Sequence, residues 1–211
     1  MTKTLKSVRQ DAVSEMKRDL ILEAARRVFE RESLENASLR AIAREAGYTP
    51  AALYFHFDSK EAIYAELLGK ALDVLKQRVD AAVAKARGPE ETFKAAACAY
   101  FDFYLENPKD LDLGFYLSGG GMAPKGVGRM RDDELNSKLL AAIGPVETAA
   151  RELGASSRAA QKALAEFFVY ANGVLLLVHT GRLGLFKTAS AELMESFISS
   201  QIGKIISGGR S

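Results

Sequence analysis

The sequence predicts an all-α chain of about nine helices: a small three-helix head, one long helix leading out of it, and a helical body. Three observations carry this prediction. Apolar residues recur at i, i+3, i+4 and i+7 in segment after segment, the spacing that lines one face of a helix. No segment alternates apolar and polar residues with the period of two that marks a half-buried strand. Glycine, proline and capping residues fall between the periodic segments, where they start and stop helices. The 211 residues can bury a sizeable core, and 48% hydrophobic with 27% charged residues is a globular balance.

Residues 1–16 form a polar arm with Lys3, Lys6 and Arg9, expected to be mobile. A first helix, about Lys17 to Glu32, carries the stripe Ile21, Ala24, Ala25, Val28 and Phe29. Its outer face (Lys17, Arg18, Arg26, Arg27, Arg31) alternates with acids and reads as solvated. Ser38 caps a second helix with Leu39, Ile42, Ala43 and Ala46 on one side. Gly47 ends it, because the residue past a helix terminus often takes the left-handed conformation that glycine adopts cheaply. Thr49 caps a third helix whose first position is Pro50, where a missing N–H does no harm. Leu53 and Phe57 face inward from it, leaving Tyr54, Phe55 and His56 at the rim. From the Ser59 cap a fourth helix runs through Ile63, Leu67, Leu72 and Val79 to about Arg87, roughly 40 Å long.

Gly88-Pro89 separates it from a fifth helix, Pro89 to Glu106, with Phe93, Ala97, Tyr100, Phe101 and Tyr104 on one stripe. A short helix over about Lys109 to Leu117 follows, then the glycine-dense stretch Ser118 to Gly128, expected to be a surface loop. Its spacing fits neither phosphate-binding fingerprint. A seventh helix spans about Asp132 to Leu153, with a kink expected at Gly144-Pro145. The eighth, about Ser157 to Arg182, is apolar on most faces, and the ninth covers about Ser190 to Ile206. A helix apolar all round must be covered all round. The preceding helices cannot cover the last two alone, so a second copy of the chain is the economical cover, through Leu176, Leu177, Phe197, Ile198 and Ile202.

Helix, glycine turn, helix at the spacing of residues 38–57 is a helix-turn-helix. The run Ala46-Gly47-Tyr48-Thr49-Pro50-Ala51-Ala52-Leu53-Tyr54-Phe55-His56-Phe57-Asp58-Ser59-Lys60-Glu61 resembles the hallmark of the TetR family of transcriptional regulators. The resemblance covers about residues 17–65. Ser33 stands where the family usually has a glycine, and Ala37 where it often has threonine. The likeness implies a helix-turn-helix DNA-binding domain over 17–60 and a ligand-binding and dimerisation domain over 61–211. It also implies that Arg40 contacts a base or phosphate. Thr49, Pro50, Ala51 and Ala52 would lead the recognition helix into the major groove, where small apolar surfaces meet thymine methyls but make no bidentate base contact. Tyr54, His56 and Lys60 would meet phosphates and Phe55 the backbone sugars. The arm at 1–16 is either a frayed terminus or a segment reaching into a groove.

The expected partners are therefore double-stranded operator DNA, a second subunit and a small-molecule effector, with no cofactor. An apolar effector pocket is expected from the aromatic stripe: Phe93, Ala97, Tyr100, Phe101 and Tyr104, with Tyr116, Phe168 and Asn172. Each of these residues alone reads as plain core. Net charge is +2, and all of it lies in residues 1–60, with eleven Lys/Arg against nine Asp/Glu. Two histidines (His56 and His179) and one cysteine offer no metal cluster and no catalytic pair. Cys98, among alanines and aromatics, reads as an inert thiol. The polar first residues and the twelve-residue length of the longest apolar run, Phe167 to Val178, point to a cytoplasmic protein without a membrane span. The function expected is a ligand-responsive regulator, most simply a repressor. A helical adaptor with a vestigial helix-turn-helix and an unrecognised enzyme remain the alternatives.

Overall fold

The computed structural model describes residues 5–115 and 126–208. Among them are nine α-helices, one 3₁₀ helix and no strand. The helices are α1 (Leu5–Asn36), α2 (Leu39–Glu45), α3 (Pro50–Tyr54), α4 (Lys60–Val83) and α5 (Pro89–Glu106). They continue with α6 (Pro108–Gly114), α7 (Arg129–Glu152), α8 (Ser157–His179), the 3₁₀ helix Arg182–Phe186 and α9 (Ser190–Gly208). Two compact units divide the chain, Met1–Lys70 with Asp112–Leu135 and Ala71–Leu111 with Asn136–Ser211. Each of α4, α6 and α7 runs unbroken across a unit boundary.

In the first unit α1, α2, α3 and the start of α4 surround a core of Ile21, Val28, Phe29, Ile42, Leu53 and Ile63. Burying each such side chain contributes about 1.5–3 kcal/mol. Phe29 meets Tyr64 edge-on at 5.1 Å between ring centres, and the Tyr64 hydroxyl donates to the Leu113 carbonyl at 2.8 Å. Tyr64 is buried, and this bond satisfies its polar tip. The first helix begins at Leu5, not at Lys17, so residues 5–16 are helical. Val13 and Met16 on that extension are exposed, as is Leu20 just beyond it.

The second unit packs α8 against α5, α9 and the 3₁₀ helix. Its core takes Phe93, Tyr100, Val146, Phe167, Leu175 and Met194. Pro145 stays inside a continuous α7. It removes one N–H, and the carbonyl left without its donor belongs to Ala141, which is exposed and can bind water. Helix α8 corrects one sequence expectation. With 23 residues and a mean hydropathy of 1.3 over its most apolar stretch, it is long and apolar enough to cross a membrane. It is nevertheless two-sided: Ala160, Ala163, Leu164, Phe167, Ala171 and Leu175 are buried within the chain, while Arg158, Lys162 and Glu166 mark its first turns. The opposite face is a row of small and apolar residues, Ala165, Val169, Gly173 and Leu176, all exposed. Beside that row an apolar groove of about 670 Å³ opens between α8, the 3₁₀ helix and α9.

Candidate nucleic-acid interface

Local chemistry builds the helix-turn-helix as its residues require. The Ser38 hydroxyl accepts the Ala41 N–H at 3.1 Å and the Thr49 hydroxyl accepts the Ala52 N–H at 3.2 Å, capping α2 and α3. Gly47 takes φ +73 between them, and the Tyr48 N–H closes the turn on the Ala43 carbonyl at 2.8 Å. Leu53 and Phe57 point into the core, so the opposite side of α3 faces outward. There Thr49, Pro50 and Ala51 are exposed, Ala52 is half-buried, and Tyr54 and Phe55 reach 59% and 89% exposure. Arg40 is exposed on α2 and His56 is half-buried at the end of the recognition helix.

Two cations have tasks that sequence reasoning missed. Arg18, read as part of a solvated face, donates through Nε to both Glu66 carboxylate oxygens at 2.8 and 2.9 Å. Its Nη2 pairs with the same carboxylate, its Nη1 donates to the His56 carbonyl at 2.8 Å, and its guanidinium lies 4.2 Å over the Phe57 ring. The Glu66 bond and charge hold the guanidinium pKa above its ordinary value, against the effect of burial. Lys60 donates through Nζ to the carbonyls of Glu35 (2.7 Å) and Ala37 (3.0 Å), closing the α1–α2 connection onto the start of α4. Two of its three donors are thus engaged inside the protein. Lys60→Met should lower the thermal stability of the DNA-free protein by about 1 kcal/mol. A phosphate contact alone would leave that melting temperature unchanged.

Arg27 and Arg31 clamp Glu45 of α2 at 2.8 and 2.9 Å and hold its carboxyl below the usual range. A depressed carboxylate stabilises above its unfolded pKa, so this tie is lost as pH falls through the lower folded value.

In the second unit most of the expected pocket residues come together, with Phe168 and Asn172 half-buried. Phe93, Ala97, Tyr100, Phe101 and Tyr104 are all buried, and Tyr100 meets Tyr104, Phe167 and Phe168 at 5.0 to 6.0 Å between ring centres. The Tyr100 hydroxyl donates to Asn172 Oδ1 at 3.0 Å, and Asn172 donates to the Phe168 carbonyl at 2.7 Å. Burial pushes the Tyr100 and Tyr104 phenols up, so both stay neutral. Tyr116 lies outside the described residues, as does most of the glycine-dense stretch. His179 Nε2 sits 3.0 Å from the Tyr104 carbonyl, which makes it a donor that ties α8 to α5. Burial also raises the Cys98 thiol, in keeping with an unreactive side chain. No group of three or more metal-ligating residues occurs among the described residues.

Of the residues expected between subunits, Leu176 is exposed, while Leu177, Phe197 and Ile202 are half-buried. Phe197 stacks on Tyr170 at 4.2 Å. Ile198 is 2% exposed in the single chain and is a core residue, because α9 turns that side toward its own chain's core. Val169 and Gly173 share the exposed row with Leu176.

Residues 21–67 match the model of a family described as bacterial regulatory proteins, tetR family. YobS, an uncharacterized HTH-type transcriptional regulator of Bacillus subtilis (strain 168), is 32% identical over 89 residues, 42% of this chain and 46% of that protein. The HTH-type transcriptional regulator BetI of Agrobacterium fabrum (strain C58) is 29% identical over 104 residues, 48% of this chain and 50% of its own. The chain thus matches about half the length of these curated relatives. The transcriptional regulator FadR from Bacillus subtilis, solved in complex with stearoyl-CoA, has the same fold at a TM-score of 0.65 and 15% identity, over 87% of this chain and 96% of that one.

Proposed function

We propose that this chain, a transcriptional regulator of the tetR family, is a repressor that binds a palindromic operator as a homodimer and leaves it when a small apolar or amphipathic effector occupies the second unit. The observation that carries the reading is the outward face of α3: small residues at its capped start, then Tyr54 and Phe55 exposed at its end. That shape suits entry into a major groove, with the start of the helix against base edges and the aromatics against the backbone. The protein is expected to be cytoplasmic.

Dimerisation is supported by the uncovered row on α8, since a two-fold contact matches a surface with itself and demands a palindromic site. The body offers an effector aromatic walls and one polar couple, Tyr100 with Asn172. Helices α4 and α7 run unbroken from the second unit into the first and are the path by which an effector there acts on the DNA-binding unit. A coupling of about 1–3 kcal/mol would lower operator affinity 5- to 150-fold. FadR's bound stearoyl-CoA makes acyl thioesters sensible first probes.

Selection of bound duplexes from a random pool tests the DNA reading: an inverted repeat should emerge. A pool that enriches no sequence would favour the adaptor alternative. Tyr100→Phe removes the polar couple while keeping the ring, and should weaken effector-driven release about fivefold with operator binding intact. Unchanged release in that variant would place the effector away from α5.

A further inference from the structure

Arg131 lies far along the chain from the helix-turn-helix, yet it belongs to the same compact unit. Its guanidinium Nη2 sits 3.6 Å from Asp58 Oδ1. Asp58 is 79% exposed along its side chain and stands between the recognition helix and Ser59, whose hydroxyl caps α4. On the operator-binding reading, that turn meets phosphates through its neighbours Tyr54 and His56. A bare carboxylate there would repel the DNA backbone. The start of α7 is itself fastened. The Val127 N–H donates to Asp132 Oδ1 at 3.0 Å, and Gly126 takes φ +70 where an added Cβ would meet Asp132 Oδ2 at 2.5 Å. Asp132, Asp133 and Glu134 follow Arg131, so the arginine is the cation that this acidic first turn directs at Asp58.

We infer that Arg131 is a positioning residue for operator binding: it masks the Asp58 charge and steadies the α3–α4 turn, so that displacement of the first turn of α7 unmasks a carboxylate against the phosphates. The inference rests on the operator-binding reading and adds a point of control to it. Helix α7 continues beyond Leu135 into the second unit, so the pair gives a change in that helix an electrostatic readout at the DNA. Asp58 is largely exposed and Arg131 half-buried, and a pair this open to solvent adds little to stability by itself.

The test measures affinity of the full chain for its selected duplex across a salt series, with R131Q, R131K, D58N and the R131Q/D58N double variant. R131Q should weaken binding about two- to fivefold, and R131K should retain most of the affinity. D58N should bind at least as well as wild type, and in its presence R131Q should have no further effect. If Arg131 instead touched a phosphate, R131Q would flatten the log–log salt slope by about 1.8, one contact from each subunit, and D58N would not restore binding. That result, or an R131Q affinity equal to wild type, overturns the inference alone. A wild type that binds no duplex overturns the operator reading and the inference together.

Discussion

Val169→Asp is expected to turn the protein into a monomer and to remove most operator affinity while leaving each chain folded. Val169 is 71% exposed in the single chain, so a carboxylate there disturbs no internal packing. In a two-fold contact through Ala165, Val169, Gly173 and Leu176 the same carboxylate would be buried, and buried again in the other copy. Desolvating an unpaired charge costs several kcal/mol, so the dimer should weaken by about a thousandfold or more. A monomer holds one half-site and forfeits the effective concentration that the second supplies, about 10²- to 10⁴-fold in affinity. Sedimentation and helical circular dichroism check the two halves of the claim. A variant that still sediments as a dimer would remove the α8 row from the interface. Ile198→Asp is the contrasting case: at 2% exposure it should destabilise the chain itself.

The second large effect is expected at Arg18. Its guanidinium joins α1 to Glu66 of α4, to the His56 carbonyl at the end of the recognition helix and to the Phe57 ring. Arg18→Ala would leave Glu66, 23% exposed along its side chain, without its cation, and would uncover Phe57. With Arg18 itself 39% exposed, solvent screening brings the expected loss down to about 1–2 kcal/mol. Amide exchange should accelerate over residues 53–57, and operator affinity should fall because the recognition helix loses its anchor. Arg18→Lys should restore only part, since one ammonium cannot replace a fork that reaches a carboxylate and a carbonyl together. Were Arg18→Ala to melt with wild type and exchange at the same rate, the anchor would lie elsewhere.

What the sequence disclosed and what it hid divide along contact range. The caps at Ser38 and Thr49, the left-handed Gly47 and the inward Leu53 and Phe57 are decided within four residues, and all were legible. Arg18 and Lys60 take partners 48 and 23 to 25 residues away, which no local pattern announces. The start of α1 was hidden for another reason: Arg9 and residues 11–16 are all exposed and give periodicity no buried stripe to find. Helix α9 shows the limit of periodicity itself. Spacing placed Phe197, Ile198 and Ile202 on an apolar helix, but only packing tells which side meets the chain's own core. The aromatic stripe of α5 was legible as a set of neighbours, while the bond from Tyr100 to Asn172, 72 residues away, was not.

The order in which the units are written along the chain bears on how such a regulator can be recombined. A single crossover after Lys70 would carry away Leu113, which accepts the buried Tyr64 hydroxyl, and Arg131, which answers Asp58. Transplanting the DNA-reading unit intact needs the insert Asp112–Leu135 as well, hence three junctions, each in the middle of a helix. Gene fusions that swap sensing modules at one splice site should therefore yield poorly folded chimeras from this scaffold. Exchanges confined to the side chains of α2 and α3 should retarget it with its architecture undisturbed.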